Sequence, residues 1–271
     1  MRYSHRFFLY APFGLLLLLA AIVIVYWKMT ASSFEAWLSK SNGHEIMPGV
    51  RISFASNSVG GFPFRLDSVI DTLAFQIETT SSPLVWRTEQ FALHMLTYDQ
   101  SHQVFEAAGK QTLAWRDASS ADREIFFLPG SLRASAIKSG GSLARFDADI
   151  VTLDTREISA DRLQFHIRRA PQQDAFDFVI EGDRLSLDCG AKKNAGAQSV
   201  TVAGRITPAS PFRSLLAGRA GWQTAYDAWL DKDGKLKVER VDAVAPLPDR
   251  HELETCLQNF LQNALFFAGR P

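Results

Sequence analysis

The stretch over residues 7–27 constrains this chain most, because it contains no charged residue. Its 21 residues would rise about 31 Å as a helix, close to the thickness of a bilayer's hydrocarbon core. Aromatic rings end the stretch, and such rings favour the headgroup region. The sequence therefore predicts a transmembrane anchor over residues 7–27. Its anchor residues are Phe7, Leu15, Leu19, Ile22, Val25, Tyr26 and Trp27.

A cleaved signal peptide is the alternative interpretation of the same stretch. Signal peptides usually have an apolar region of about 7–15 residues followed by a small-x-small cleavage site. Here the apolar run is longer, and the bulky Met29 makes Met29-Thr30-Ala31 a poor site. The sequence favours an anchor that stays attached.

The charges around the anchor predict its orientation. Arg2 and Arg6 precede it and Lys28 alone follows closely, so the positive-inside bias places residues 1–6 in the cytoplasm. Everything after Lys28 is then exported. The whole chain has 29 basic and 29 acidic residues, and the exported part, with 26 basic against 29 acidic residues, is slightly acidic. This balance argues against nucleic acid as a partner, because nucleic-acid binding needs clustered cations.

The two cysteines, Cys189 and Cys256, both lie in the exported part. A disulfide between them would close a loop of about 66 residues and stabilise the fold by a few kcal/mol. Two separate buried thiols are the alternative, and the spacing does not decide between them.

An apolar/polar alternation with a period of two dominates residues 49–207. Segments of this kind, separated by turns, are typical of half-buried antiparallel strands. The sequence predicts no helices between them, which argues against a parallel sheet. The predicted fold is α+β and mainly antiparallel β, with one or more curved sheets. The apolar members of the alternation are Leu73, Phe75, Ile77, Phe91, Leu93, Met95, Phe146, Ala148, Ile150, Leu163, Phe165, Ile167, Phe176, Phe178, Ile180, Leu185, Leu187, Val200 and Val202.

Two flanking regions have helical spacing instead. Residues 28–48 predict a helical extension and linker, with Phe34, Trp37 and Leu38 on one face, that lifts the domain off the membrane. Residues 208–271 predict a cap that contains helices over 210–220, 221–230 and 249–265 and a strand over 235–244. The cap helices are expected to pack on the sheet, within one exported β-rich domain over residues 49–271.

The most distinctive sequence motif in the chain is glycine-rich. It reads Gly60-Gly61-Phe62-Pro63-Phe64-Arg65. It lacks the spacing of a phosphate-binding loop, and Pro63 removes a backbone donor. We interpret it as a sharp bend whose Phe62 and Phe64 anchor the next strand, with a ligand contact as the alternative.

Other chemistry-bearing patterns are incomplete, so we expect no catalytic residues, no metal site and no cofactor. His251-Glu252 begins like a zinc-protease helix, but Thr255 stands where the second histidine is needed. A GxSxG elbow is also missing from the sequence. These patterns predict that the protein is not an enzyme.

The anchor, the Gly-Gly-Phe-Pro-Phe-Arg motif, the segment over residues 160–166 and the late Trp222 and Trp229 together resemble the alphaproteobacterial family called domain of unknown function 2125. The resemblance implies an envelope protein of a Gram-negative bacterium, anchored in the inner membrane with its bulk in the periplasm. A weaker likeness, in the cadence of residues 149–163, is to AsmA-like envelope proteins. Those proteins carry a long curved sheet with an apolar concave face and are associated with phospholipid movement.

The chain has 20 Phe, 6 Trp and 5 Tyr, and many of them lie on predicted strands. One face of a curved sheet could therefore stay open as an apolar groove. The expected function is binding or transfer of a lipid or another apolar ligand at the bilayer. The alternative is an envelope scaffold that docks other envelope proteins and holds no ligand.

Overall fold

The computed structural model describes residues 5–79, 83–116, 121–156, 158–187 and 195–244. Its helices are α1 (His5–Ser41), α2 (Phe212–Leu216) and α3 (Trp222–Leu230). Its strands are β1 (Glu45–Met47), β2 (Val50–Ser53), β3 (Ser56–Gly60), β4 (Arg65–Ile77), β5 (Leu84–Leu96), β6 (His102–Arg116), β7 (Asp122–Phe127), β8 (Ser131–Ser139), β9 (Ser142–Asp154), β10 (Ile158–Arg169), β11 (Phe176–Leu187), β12 (Ala195–Thr207) and β13 (Lys235–Val244). The fold is α+β and mainly antiparallel β, as the alternation predicts.

All thirteen strands form one antiparallel sheet. The order across it is β1-β2-β4-β5-β6-β8-β9-β10-β11-β12-β13, while β3 pairs with β4 and β7 pairs with β6. Most neighbours in the sheet are also neighbours in the sequence, because antiparallel strands can be joined by short turns. The sheet does not close, so β1 and β13 lie at opposite edges.

The register gives the sheet one apolar and one polar face. Ile167 on β10 opposes Phe146 on β9 and Phe178 on β11, whereas the next residue inward, His166, opposes Asp147. Directly opposed residues lie on the same face, so apolar side chains follow one another across the strands. Every apolar residue of the predicted alternation lies on this one face, which confirms the prediction.

The alternation shifts by one residue at the same height in four adjacent strands. At this height, two residues lie between successive apolar residues of a strand, where regular alternation has one. The pairs are Ile150 and Leu153 on β9, Ala160 and Leu163 on β10, Gly182 and Leu185 on β11, and Ala197 and Val200 on β12. Thr152 and Arg184 lie inside two of these steps with φ values of 56° and 46°. Left-handed residues interrupt the pleat and bend a strand, so this row curves the sheet.

The fully buried core lies toward the two edges of the sheet. One cluster surrounds Phe178, Leu187 and Val202 on β11 and β12. A second joins α1 to β2 and β4 through Leu38 and Ile70. The strands between these clusters contribute apolar side chains that are mostly half-buried.

Helix α1 merges the predicted anchor and the predicted extension into one helix of 37 residues. Its side chains are mostly exposed up to Tyr26, and then Ala31 and Leu38 are buried against the sheet. Trp27 and Phe34 pack beside them. Residues 28–41 are helical, as predicted, and pack their buried side chains against the sheet, while residues 45–47 form β1. That this segment lifts the domain off the membrane stays a prediction.

The C-terminal helices pack across the sheet, as predicted, although α2 is shorter than the predicted 210–220. The Trp229 indole Nε1 donates to the Thr207 carbonyl at the end of β12, at 3.0 Å. A methyl group added to Gly221 would lie 3.1 Å from the Pro48 carbonyl oxygen. The segment with α2 and α3 therefore touches the β1–β2 turn, at the opposite edge of the sheet from β12. The helix predicted over 249–265 lies outside the described residues.

Candidate functional site

A half-buried apolar surface crosses the centre of the sheet. We call the half-buried apolar-face side chains of β5, β6, β8, β9 and β10 the apolar lane; its phenylalanine rings are Phe91, Phe105, Phe146 and Phe165, and Trp86 and Trp115 lie on the same face. The centroids of Phe91 and Phe105 are 6.1 Å apart, and those of Phe146 and Phe165 are 6.3 Å apart. Rings at these distances form a continuous apolar surface.

Small residues lie between the two ring pairs. Ala134 on β8 opposes Phe105 on β6, and Ala148 on β9 opposes Phe165 on β10. Ala134 and Ala148 also oppose each other. Because alanine side chains are short, the apolar face carries little side-chain bulk between the two ring pairs.

The opposite face of the same strands is charged and paired. Arg162 holds Asp149 with two hydrogen bonds, from Nε at 2.7 Å and from Nη2 at 2.9 Å. Arg145 and His166 both contact Asp147. Paired charges of this kind keep one face of an antiparallel sheet in water. The apolar lane is therefore the side of these strands on which an apolar ligand would bind.

These ion pairs lower the pKa of two carboxyl groups. The hydrogen bonds from Arg162 outweigh burial and hold the pKa of Asp149 below its ordinary value. For Asp147, burial alone raises the pKa, but the hydrogen bonds from Arg145 and His166 together lower the pKa below its ordinary value. Both carboxylates are thus more stable in the ionised form in the folded protein.

We expect Asp149→Asn to lower the free energy of unfolding slightly at pH 7. Since folding lowers the pKa of Asp149, its carboxylate stabilises the fold above the ordinary value, and this contribution is lost as the pH falls through the folded value. The difference from wild type should vanish once the pH is below the folded value. Urea titrations at several pH values measure it, with the exposed Asp154→Asn as a control. A difference that stays constant across pH would contradict the assignment.

A cavity opens where α1 meets the apolar face. It has a volume of about 460 Å³ and lies between α1 and the start of β4. Tyr26, Met29 and Phe34 line it from the helix. Leu66 lines it from β4, and Gln100 lines it from the turn between β5 and β6. Its position next to the last residues of the apolar helix makes it the candidate entrance to the apolar face.

A second cavity, of about 520 Å³, is polar. It lies between the β8–β9 turn, the β10–β11 loop and α2, and Arg169, Asp174 and Arg213 line it. Arg213 pairs with Asp174 at 3.6 Å. This cavity therefore offers charge and hydrogen bonds where the first offers apolar contact.

The Gly-Gly-Phe-Pro-Phe-Arg motif forms the tight connection between β3 and β4. Gly61 has a φ of 96°, and a methyl group there would lie 2.8 Å from the Arg65 carbonyl oxygen, so glycine is required. Arg65 pairs with Asp67 at 2.8 Å. The bend is as predicted, but Phe62 and Phe64 do not anchor the next strand in a core, because both side chains are exposed.

The other predicted site residues fall into three groups. The anchor residues Leu15, Leu19, Ile22, Val25 and Tyr26 are exposed along α1, as a helix in a bilayer requires. Trp27 instead donates from Nε1 to the Arg65 carbonyl at 2.8 Å. The side chain of Phe7, together with Cys189 and Cys256, lies outside the described residues, so the predicted disulfide is untested. The nine residues of these three groups are Leu15, Leu19, Ile22, Val25, Tyr26, Trp27, Phe7, Cys189 and Cys256.

The cavity at the entrance was not predicted from the sequence. In the sequence, Met29 bears only on whether a signal peptidase could cleave there, and Gln100 belongs to no motif. One signal was available: Trp27, Ala31, Phe34 and Leu38 follow helical spacing directly after the anchor. Such a stripe predicts that the anchor helix continues into the core.

These features define a class of protein: an open antiparallel sheet with one apolar face, carried on an N-terminal helix long and apolar enough to cross a membrane. The particular family follows from the sequence. The chain belongs to the family described as an uncharacterized protein conserved in bacteria, domain of unknown function 2125, whose model matches residues 27–247. This confirms the resemblance carried by the motif. No curated protein and no solved structure matches the chain, so the likeness to AsmA-like proteins stays a prediction.

Proposed function

We propose that this protein is anchored in the bacterial inner membrane and holds the acyl chain of a membrane lipid, or a similar apolar ligand, along the apolar lane. The observation that carries the proposal is the lane itself: half-buried rings and alanines run across five strands beside a cavity next to the anchor. The ligand would enter from the bilayer at this cavity. The proposal assigns no catalytic step, no cofactor and no nucleic-acid partner.

The packing of α1 supports an anchor that is retained. Cleavage after Ala31 would remove Trp27 and Ala31, which pack against Leu66 and Met95 in the core. A signal peptide is discarded after export and gains nothing from such contacts. Arg2 and Arg6 precede the apolar run, which supports a cytoplasmic N-terminus and a periplasmic sheet.

The dimensions support an acyl chain as the ligand. The lane crosses from β5 to β10, which are four steps apart in the sheet, and so spans about 19 Å at about 4.8 Å per step. One leaflet contributes roughly half of the ~30 Å hydrocarbon core, or about 15 Å per chain. The lane is therefore long enough to shield one chain from water.

Site-specific crosslinking tests the proposal. A photoreactive benzoylphenylalanine replaces Phe105 or Phe165 in the full chain and is irradiated in intact cells. The matched controls are Val104 and Gln164, which are the adjacent residues on the polar face of the same strands. We expect lipid adducts, identified by mass spectrometry, at the two lane positions and several-fold fewer at the controls.

Two results would overturn the proposal. Equal lipid labelling at lane and control positions would mean that the lane has no preference for lipid. Crosslinks from both lane positions to one other protein, without lipid, would favour the scaffold alternative instead. Strand β13 gives that alternative little support as a docking edge, since its charges discourage edge-to-edge pairing. The charged residues of β13 are Lys235, Lys237, Glu239, Arg240 and Asp242.

A further inference from the structure

Three exposed aromatic side chains lie close to where α1 leaves the sheet. We call Phe62, Phe64 and Tyr98 the aromatic tip; their exposed fractions are 53%, 57% and 70%. Phe62 and Phe64 belong to the β3–β4 connection, and Tyr98 follows β5. Large rings at such exposure are unfavourable in water, and a cluster of them marks an interaction surface.

Hydrogen bonds fix the tip to the helix. The Tyr26 hydroxyl donates to the Thr97 carbonyl at 3.2 Å, directly before Tyr98. The Thr97 backbone N–H donates to the Phe64 carbonyl at 2.9 Å. Both aromatic segments are therefore held to each other and to the end of the apolar helix.

Trp27 completes the attachment. Its ring meets Phe62 edge to face, with the centroids 5.5 Å apart. Its indole Nε1 donates to the Arg65 carbonyl. The tip consequently lies at the same level along α1 as Tyr26 and Trp27.

The length of the apolar run places that level at the membrane surface. Residues 7–27 rise about 31 Å at about 1.5 Å per residue, so the run ends where the hydrocarbon core ends. Tyr26, Trp27 and the tip then lie together at the headgroup level, where aromatic rings are favoured. Lys28, which is exposed, lies beside them and suits a lipid phosphate, whereas Arg65 is paired with Asp67.

We infer that the aromatic tip is a second membrane contact, which inserts into the headgroup region of the phospholipid bilayer and fixes the sheet's orientation against it. This inference rests on the anchoring part of the proposed function. With two contacts, α1 and the sheet packed on it cannot tilt freely against the bilayer. The mouth of the 460 Å³ cavity is then kept at the membrane surface.

The charge next to the tip limits its depth. Asp99 follows Tyr98, and hydrogen bonds from Ser101 hold the pKa of Asp99 below its ordinary value. A carboxylate that stays ionised does not enter hydrocarbon. The tip therefore lies among the headgroups and does not reach the bilayer centre.

Depth measurements by electron paramagnetic resonance test this inference. The full chain is placed in nanodiscs of phosphatidylethanolamine and phosphatidylglycerol. Azidophenylalanine at Phe64 or Tyr98 is coupled to a nitroxide, and the label's accessibility to oxygen and to a water-soluble nickel chelate is compared. Phe126, exposed to 64% on β7, is the matched control.

We expect labels at Phe64 and Tyr98 to be several-fold less accessible to nickel than a label at Phe126. Equal nickel accessibility at all three positions would overturn the inference. A label at Leu19 tests the anchor separately. If Leu19 is buried in lipid and the tip is in water, the anchor stands and the second contact fails; if Leu19 itself is in water, the anchoring proposal fails as well.

Discussion

Removing residues 1–41 unfolds the sheet domain, whereas removing residues 1–24 leaves it folded; this is the largest effect we expect. The longer deletion takes away Trp27, Ala31, Phe34 and Leu38, which cover the apolar face of β2 and β4. Fully burying one large apolar side chain contributes about 1.5–3 kcal/mol, so Leu38 with the partly buried Trp27 and Phe34 contributes on the order of 5 kcal/mol. The whole stability of a domain is only about 5–15 kcal/mol.

Circular dichroism and urea titration of the two purified proteins measure the difference. The shorter deletion is the control, because it keeps every α1 residue that the described core clusters contain. We expect a cooperative unfolding transition for the shorter deletion and none for the longer one. If both proteins unfold with the same midpoint, the end of α1 is not part of the core and the argument for a retained anchor loses its support.

Trp229→Ala is expected to cause the second largest loss. The Trp229 side chain is only 5% exposed, and its ring packs between Phe212 and Tyr226 with centroids 6.1 and 5.8 Å away. Truncating a buried Trp costs about 3–5 kcal/mol. It also leaves the Thr207 carbonyl without its indole donor. For a domain of this size we expect the Tm to fall by roughly 6–20 °C.

Thermal melts of the full chain in detergent measure this loss, and Trp37→Ala is the matched control. Trp37 is 52% exposed and stacks on Phe34 alone among the aromatic contacts of the described residues. Its removal should change the Tm by a few degrees at most. Equal effects of the two substitutions would show that the C-terminal helices do not hold the sheet.

Much of the fold could be predicted from the sequence because its signals are local. The uncharged run over residues 7–27 gave the exposed helix, and strict alternation, as in Leu163, Phe165 and Ile167, gave the apolar face of the sheet. Both patterns follow from the helix and strand periods alone. The glycines of the motif likewise predicted a bend, since Gly61 requires a conformation that other residues avoid.

The place where the sheet bends also has a signal in the sequence. Ile150 and Leu153 are three residues apart, and so are Gly182 and Leu185 on β11. One such step looks like an ordinary end of a strand. Only the register shows that four of them lie side by side in adjacent strands, where together they bend the sheet.

The sequence by itself determined the apolar helix and the two-faced strands, because each depends on contacts within a few residues along the chain. It did not determine that Phe62, Phe64 and Tyr98 come together, or that Trp27 fixes them at the end of the helix. Trp27 and Arg65 are 38 residues apart in the sequence, and Tyr26 and Thr97 are 71 apart, so their meeting depends on strand order. Only the tertiary structure decided which exposed rings share one level, since long-range pairing leaves no local period to detect.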